Sequence, residues 1–217
     1  MLRLQEIRKQ YESKIVLNGI NSVISDESIV AVRGKNGSGK TTLLNIIGGL
    51  INFEGNVYYD DISLHNNYVK YMGNISFLSN EAFSYQYLTL MEMIELLSDI
   101  MNTSKKSIME QNKIFELIDL LELNDFKDTL IKNLSLGTRQ KVSVVTNLLD
   151  KPKVILLDEP FVNLDENSVS NLLIYLKRYI EQNKAIMIYA THSNDEKLDR
   201  FTTNELNIVN TNTMIYR

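Results

Sequence analysis

One eight-residue segment constrains the fold more than any other part of the chain. The apolar run IVAVR (29–33) leads into GKNGSGKT (34–41), and a helical stretch follows at 41–47. The spacing fits G-x-x-x-x-G-K-[ST], a strand-to-helix turn whose glycines let backbone N–H groups face an anion. The alternative, a glycine-rich turn with an unrelated lysine, does not explain why strand, spacing and helix occur together.

The segment predicts a bound nucleotide. Lys40 is expected to neutralise the β- and γ-phosphates, and the Thr41 hydroxyl to ligate Mg²⁺, which prefers oxygen. The expected phosphate-binding residues are Gly34, Lys35, Asn36, Gly37, Ser38, Gly39, Lys40, Thr41 and Thr42. Nucleotide kinases, GTPases and many ATPases share such a segment, so the rest of the chain must decide the reaction.

A second apolar strand ends in two carboxylates. The run VILLDEP (154–160) delivers Asp158 and Glu159 at the strand's carboxyl end, the edge where ligands bind in open α/β sheets. Asp158 is placed to hold Mg²⁺, directly or through water, and Glu159 to take a proton from an attacking water. A lone acidic pair would by default be a loop, but the phosphate segment upstream favours the metal and base roles.

One histidine occupies a comparable position. His192 closes the run IMIYATH and is one of only two histidines, the other being His65. A lone histidine is more often structural than catalytic. At the carboxyl end of a core strand, however, it is placed to hydrogen-bond a γ-phosphate and to position water.

Strand and helix signals alternate along the chain. Short apolar runs predict strands at 29–33, 56–59, 75–78, 154–157 and 186–190. Helical spacing predicts helices at 41–47 and 168–180, a helical lobe over 89–126, and the tail 205–217 adds one more strand. The alternation indicates an α/β fold with a largely parallel sheet, and 217 residues suit one large domain.

Composition excludes several classes of protein. The chain has no cysteine, so a disulfide framework, a thiolate metal site and a cysteine nucleophile are excluded. The net charge of -4 gives no general attraction to nucleic acid. The N-terminus lacks the apolar region of a secretory signal, and the most apolar runs are far shorter than the about 20 residues that span a bilayer. A membrane role would therefore need a second chain.

A third segment, LSLGTRQ (134–140), completes a recognisable order of motifs. Its serine suits a helix N-cap, and a helix N-terminus also offers donors to a phosphate. The phosphate segment, LSLG, VILLDEP, NLD (163–165) and a strand-ending histidine follow one another along the chain. This order resembles the nucleotide-binding domain of the ATP-binding-cassette (ABC) family, over nearly the whole chain.

The resemblance implies a RecA-like P-loop NTPase core with an N-terminal antiparallel β lobe and an inserted helical lobe. Residues 1–80 and 151–217 would form the β lobe and core, and 81–150 the helical lobe with the signature segment. Two such domains sandwich two ATP molecules with Mg²⁺, and a separate transmembrane permease is the partner. The implied location is cytoplasmic, peripheral on the membrane through that permease, and no nucleic-acid partner is expected.

The resemblance also assigns residues. Tyr11, ahead of the first strand pair, matches the aromatic that stacks on adenine, although a tyrosine on a sheet surface explains it equally well. Ser135 and Gly137 match the signature segment, which contacts the γ-phosphate of ATP bound to the opposite subunit. Glu159 matches the catalytic base and His192 the switch histidine, while the NLD loop matches the segment that crosses the dimer interface.

Two segments depart from the family pattern. The commonest signature is LSGGQ, but here Leu136 replaces the first glycine and Thr138 the glutamine. Because the serine and second glycine are retained, contact with the opposite ATP is expected to survive, with the Leu136 side chain directed away from the nucleotide. At the family's glutamine loop, alignment places Asn80, which keeps the amide and is expected to ligate Mg²⁺, with Glu81 beside it as an alternative ligand.

Three functions follow from these motifs. The leading one is the ATPase subunit of a membrane transporter, and the compact helical lobe and LSLG variant favour an exporter. The second is a cassette ATPase in translation or DNA repair, although such proteins usually carry two cassettes or a long coiled-coil insertion. The third is a P-loop kinase of a small metabolite, which would need neither LSLG nor the NLD loop.

Overall fold

Two sheets of different kinds build the fold. The computed structural model describes residues 1–78, 85–101, 107, 113–192, 196–211 and 213–216. Within these ranges the strands are β1 (Leu2–Tyr11), β2 (Lys14–Ile24), β3 (Ile29–Arg33), β4 (Glu54–Tyr59), β5 (Ile62–Ser63), β6 (Ile75–Leu78), β7 (Val154–Asp158), β8 (Ile186–Ala190), β9 (Asn204–Asn210) and β10 (Thr213–Tyr216). The helices are α1 (Lys40–Ile47), α2 (Tyr68–Met72), α3 (Leu90–Ile100), α4 (Ile114–Leu120), α5 (Leu136–Asn147), α6 (Glu166–Asn183) and α7 (Glu196–Phe201).

The larger sheet has the order β10-β9-β3-β8-β7-β6. Its five strands from β9 to β6 run parallel, and β10 pairs antiparallel with β9 at the edge. Every residue of β8 is buried, as expected for a strand covered on both faces. Parallel strands end at the same edge, so the loops that follow β3, β7 and β8 meet there. The predicted α/β fold is confirmed.

The smaller sheet is antiparallel, with the order β2-β1-β4-β5. Its apolar face joins one hydrophobic cluster with α1 and one face of the larger sheet, through residues such as Leu4, Leu17, Leu43 and Ile188. This packing brings the first half of β2 against the loop that precedes α1. The opposite face of the larger sheet is covered by α3 to α7, whose buried side chains form a second cluster.

Most predicted elements have the expected position. β3, β6 and β8 keep their predicted bounds, while β4, β7 and α1 extend by one or two residues and α6 by two at its start and three at its end. The prediction of a single strand in the tail is wrong, because the tail contributes two antiparallel strands, β9 and β10. Tyr11 also lies elsewhere than predicted: it ends β1, inside the first strand pair rather than ahead of it.

A bulge explains why the first strand pair gives a weak sequence signal. The buried residues of β1 are Leu2, Leu4 and Ile7, so the alternation of two is interrupted at Glu6, which has a φ of 50°. The register of β1 against β2 shifts at the same place. An extra residue of this kind breaks the period-2 pattern by which strands are predicted.

The central strands carry the stability of the fold. Ile188 of β8 is fully buried, so Ile188→Ala is expected to lower the free energy of unfolding by about 2–5 kcal/mol, through lost burial and a residual cavity. Ile174 on α6 is 62% exposed, and Ile174→Ala should change stability by about 0.5 kcal/mol or less. Urea unfolding measures both, and equal losses would contradict this account of the core.

Candidate nucleotide-binding site

A cavity of about 450 Å³ opens at the carboxyl edge of the larger sheet. The loop after β3, the end of β7 and the segment after β8 surround it. Its lining residues are Val16, Asn36, Gly37, Gly39, Lys40, Thr41, Thr42, Asp158, Glu159 and His192. All of these except Val16 were predicted from the sequence, so the topology gathers into one place residues that are more than 150 positions apart along the chain.

Lys40 is held inside the loop by backbone oxygens. Its ammonium donates to the Gly34 carbonyl at 3.0 Å and to the Lys35 carbonyl at 3.4 Å, and the residue is only 8% exposed. Lys40 is also the first residue of α1, so the phosphate-binding loop leads directly into a helix N-terminus. Positive charge and unpaired donors together suit a phosphate.

Gly39 has two independent reasons to be glycine. Its φ is 103°, a left-handed conformation that favours glycine, and a Cβ there would lie 2.8 Å from Cγ1 of Val16. The N-terminal sheet therefore presses on the phosphate-binding loop from the side. Sequence reasoning missed Val16, because an isolated apolar residue in a strand carries no signal of this contact.

Glu159 and His192 meet in the cavity. Nδ1 of His192 lies 2.8 Å from Oε1 of Glu159. The Glu159 backbone has a φ of 52°, rare for a residue with a side chain, and its N–H donates to the Ala190 carbonyl at 3.0 Å. Such a conformation is costly and persists where the surroundings impose it, often at functional sites.

Burial raises the pKa of the Glu159 carboxyl above its ordinary value. His192 acts in the opposite direction, and the neighbouring Asp158 raises the pKa. A carboxylate with a raised pKa binds a proton more readily, which suits a general base.

Thr41 and Asp158 offer a hydroxyl and a carboxylate to the same cavity. These are the hard oxygen donors that Mg²⁺ prefers, and this ion is usually held by few protein oxygens together with substrate phosphates. Among the described residues there is no cluster of three or more acidic or histidine side chains able to hold a metal alone. The donor set therefore fits Mg²⁺ that arrives with a nucleotide. The predicted ligand Asn80 and its neighbour Glu81 lie outside the described residues.

Ser135 and Gly137 do not line the cavity. Ser135 caps α5, its hydroxyl accepting from the Thr138 N–H at 3.1 Å, as predicted. A Cβ on Gly137 would overlap the carbonyl oxygen of Asn163, so this glycine allows the start of α5 to approach the NLD loop. Leu136, between them, is 51% exposed on the first turn.

Comparison with known proteins decides the family. Residues 17–162 match the family model described as ABC transporter. The chain belongs to the ABC transporter family. This confirms the resemblance found in the order of the motifs.

Curated ABC proteins resemble the chain along most of its length. The sn-glycerol-3-phosphate import ATP-binding protein UgpC of Bartonella bacilliformis is 31% identical, covering 91% of this chain and 57% of that protein. The aliphatic sulfonates import ATP-binding protein SsuB of Bacillus cereus is 35% identical, covering 88% and 72%. The putative hemin import ATP-binding protein HrtA of Staphylococcus epidermidis is 30% identical, covering 92% of each chain. The chain thus spans little more than half of UgpC.

Solved ABC structures share the fold. A dimeric ATP-binding cassette in a post-hydrolysis state, bound to ADP and Pi, superposes with a TM-score of 0.85 at 27% identity, covering 100% of this chain and 98% of that one. An ATP-binding subunit of an ABC transporter gives 0.89 at 22% identity, covering 100% and 89%. The P-loop fold predicted from the sequence is confirmed.

The helix that begins in the predicted signature segment is attached to the loop that follows Glu159. The buried Gln140 donates to the Pro160 carbonyl at 3.4 Å, and Nζ of Lys141 lies 3.4 Å from Oδ2 of Asp165. Hydrogen bonds from Ser168 hold the pKa of Asp165 well below its usual range, and Lys141 adds to the effect. Sequence reasoning missed Gln140 and Lys141. The N-cap at Asp165 was readable as an acidic residue three positions before a serine.

Tyr11 is placed differently from the other expected ABC site residues. It ends β1, is 44% exposed, and has Nζ of Lys9 4.6 Å from its ring centroid. It does not line the cavity. Contact with adenine therefore stays a prediction beside the alternative of a sheet-surface tyrosine.

The groups around Glu159 predict how its carboxyl titrates when His192 is removed. His192→Ala removes a ring whose charge lowers the Glu159 pKa, so that pKa should rise further above its ordinary value. The carboxyl would then lose its proton at higher pH in the variant than in the wild type. A carbon NMR titration of labelled glutamate side chains measures the shift.

His65→Ala provides the matched control. His65 contacts the Gly55 carbonyl and is not among the groups that act on Glu159, so its removal should leave the titration unchanged. A Glu159 pKa that falls or stays constant in His192→Ala would contradict the electrostatic account of the pair.

Proposed function

We propose that the chain is the ATP-binding and ATP-hydrolysing subunit of an ABC transporter, which dimerises around MgATP and drives a separate transmembrane permease. One observation carries the proposal: Lys40, Thr41, Asp158, Glu159 and His192 line one cavity. The subunit would be cytoplasmic and peripheral on the membrane, attached through the permease. The family and the solved cassette that contains ADP and Pi support the choice of ATP.

The roles of the residues follow from their chemistry. Lys40 and the N–H groups at the start of α1 bind the β- and γ-phosphates. Mg²⁺ held by Thr41 and Asp158 would neutralise phosphate charge when bound with the nucleotide. Glu159 accepts a proton from the attacking water, because its raised pKa favours proton uptake. His192 orients this carboxylate and donates to the γ-phosphate or the water.

The location of the signature segment supports a dimer. Ser135 and Gly137 lie outside the cavity that holds Lys40, so a phosphate that they contact must belong to another domain. The N-terminus of α5 supplies donors for such a contact. The solved cassette with 27% identity is described as dimeric, which agrees with this arrangement.

A separate chain would provide the membrane path. Among the described residues, no helix is both long and apolar enough to cross a bilayer. The three relatives named above are ATP-binding proteins of import systems, which supports a transport role. Export stays a prediction from the sequence, since these names describe import.

The two other functions are less well supported. A small-molecule kinase has no use for the close approach of Gly137 to Asn163, and membership of the ABC family disfavours it. A role in translation or DNA repair finds no support in the names of these relatives.

Lys40→Ala tests the binding of ATP. Loss of a charge-assisted contact to phosphate is expected to weaken ATP binding by about 10- to 100-fold, measured by calorimetry. Lys70→Ala, at an exposed position on α2, should bind ATP as the wild type does. Equal affinity in the wild type and Lys40→Ala would remove the basis for the phosphate assignment.

Glu159→Gln tests hydrolysis and dimerisation together. ATP should still bind, while turnover falls by about 10²- to 10⁴-fold because the amide cannot accept a proton. A dimer should accumulate with ATP, seen by light scattering as a doubled mass. Glu181→Gln, at an exposed position of α6, is expected to retain turnover and to show no trapped dimer. Normal turnover in Glu159→Gln would mean that another group is the base.

A further inference from the structure

Arg33 joins the phosphate-binding loop to two elements beyond the cavity. It is the last residue of β3 and directly precedes Gly34, the first residue of the loop. Its guanidinium forms an ion pair with Asp199 of α7, and its Nε donates to Oε1 of Glu205 of β9 at 2.8 Å. One side chain therefore connects β3 to two consecutive elements that come more than 160 residues later in the sequence.

These ion pairs differ from ordinary surface pairs. The Arg33 side chain is only 18% exposed, and its fork contacts two carboxylates at once. The two carboxylates raise the pKa of the guanidinium, although its own burial acts against them. Exposed single pairs contribute little, whereas a partly buried arginine with two acidic partners is held in one geometry.

The element that Arg33 holds is the one that follows His192. β8 is paired with β3, with Ala190 opposite Val32, and His192 comes two residues after Ala190. α7 begins at Glu196 and is anchored by the buried side chains of Leu198 and Phe201. Lys197 and Leu198 of α7 line a further cavity together with Glu159 and His192, so the helix that Arg33 binds lies beside the Glu159–His192 pair.

We infer that Arg33 is a positioning residue for ATP hydrolysis, which keeps the segment carrying His192 in register with the phosphate-binding loop. The inference rests on the proposed function, because it concerns the geometry of the Glu159–His192 pair during that reaction. Arg33 does not line the cavity, and in this inference its effect on His192 passes through Asp199 and α7.

Arg33→Gln tests this role. Glutamine keeps a polar side chain but loses the charge and the fork. The turnover number is expected to fall by about 10- to 100-fold, the range for a small misplacement of catalytic groups, while ATP affinity by calorimetry stays within about twofold. Arg33→Lys should restore part of the turnover, because one ammonium can replace one of the two contacts.

A second variant separates positioning from a general loss of folding. Asp199 is half-exposed, so Asp199→Asn should fold and should lower turnover in the same direction. The turnover of the double variant Arg33→Gln/Asp199→Asn should be little lower than that of Arg33→Gln, because both changes break the same Arg33–Asp199 contact. Additive losses would overturn the inference.

Arg178→Gln is the matched control. It breaks a comparable pair, with Nη2 of Arg178 2.6 Å from Oε1 of Glu116, between α6 and α4 and away from the cavity lining. Its turnover should equal that of the wild type. The inference is overturned when Arg33→Gln and Arg178→Gln turn over ATP equally, or when Arg33→Gln loses affinity as much as turnover. A wild-type chain without hydrolysis would overturn the proposed function as well.

Discussion

The pairing of three parallel strands is the constraint on which the site depends. β8 lies between β3 and β7, with Ala190 opposite both Val32 and Asp158. Because these strands run in the same direction, the phosphate-binding loop, the acidic pair and His192 emerge at the same level of one edge. The strand pairing alone brings their side chains together, and no direct contact between the loops is needed.

A second constraint acts at the scale of single residues. Glu159 has a left-handed backbone, and Asn163, four residues later, has a φ of 70°. Non-glycine residues avoid this region, so two of them in one short loop must be held by their surroundings. The backbone of Ala190 and the contacts from α5 supply such restraints. The loop that carries Glu159 is therefore shaped by tertiary contacts rather than by its own sequence.

The difference between local and tertiary constraints explains which parts of the site could be predicted from the sequence. The phosphate-binding loop was readable because its glycines, lysine and threonine act within eight consecutive residues. The pairing of Glu159 with His192, and the approach of Gly137 to Asn163, join residues whose spacing in the sequence says nothing of their distance. In β1 it is the local pattern that fails. The bulge interrupts the alternation by which a strand is predicted, although the pairing of β1 with β2 continues past it.

The contacts between α5 and the Glu159 loop bear on how the two halves of the proposed dimer would depend on each other. Ser135 and Gly137 start a helix, and two polar residues further along it, Gln140 and Lys141, bind the segment that follows Glu159. In the proposed dimer, the partner's phosphate would contact the start of α5 at Ser135, and the same helix would contact the loop that carries Glu159. A displacement of α5 caused by the partner's nucleotide would then reach this chain's own base through packed contacts, without a separate signal. In that dimer, the division of the site and the mutual dependence of its halves would have the same structural origin.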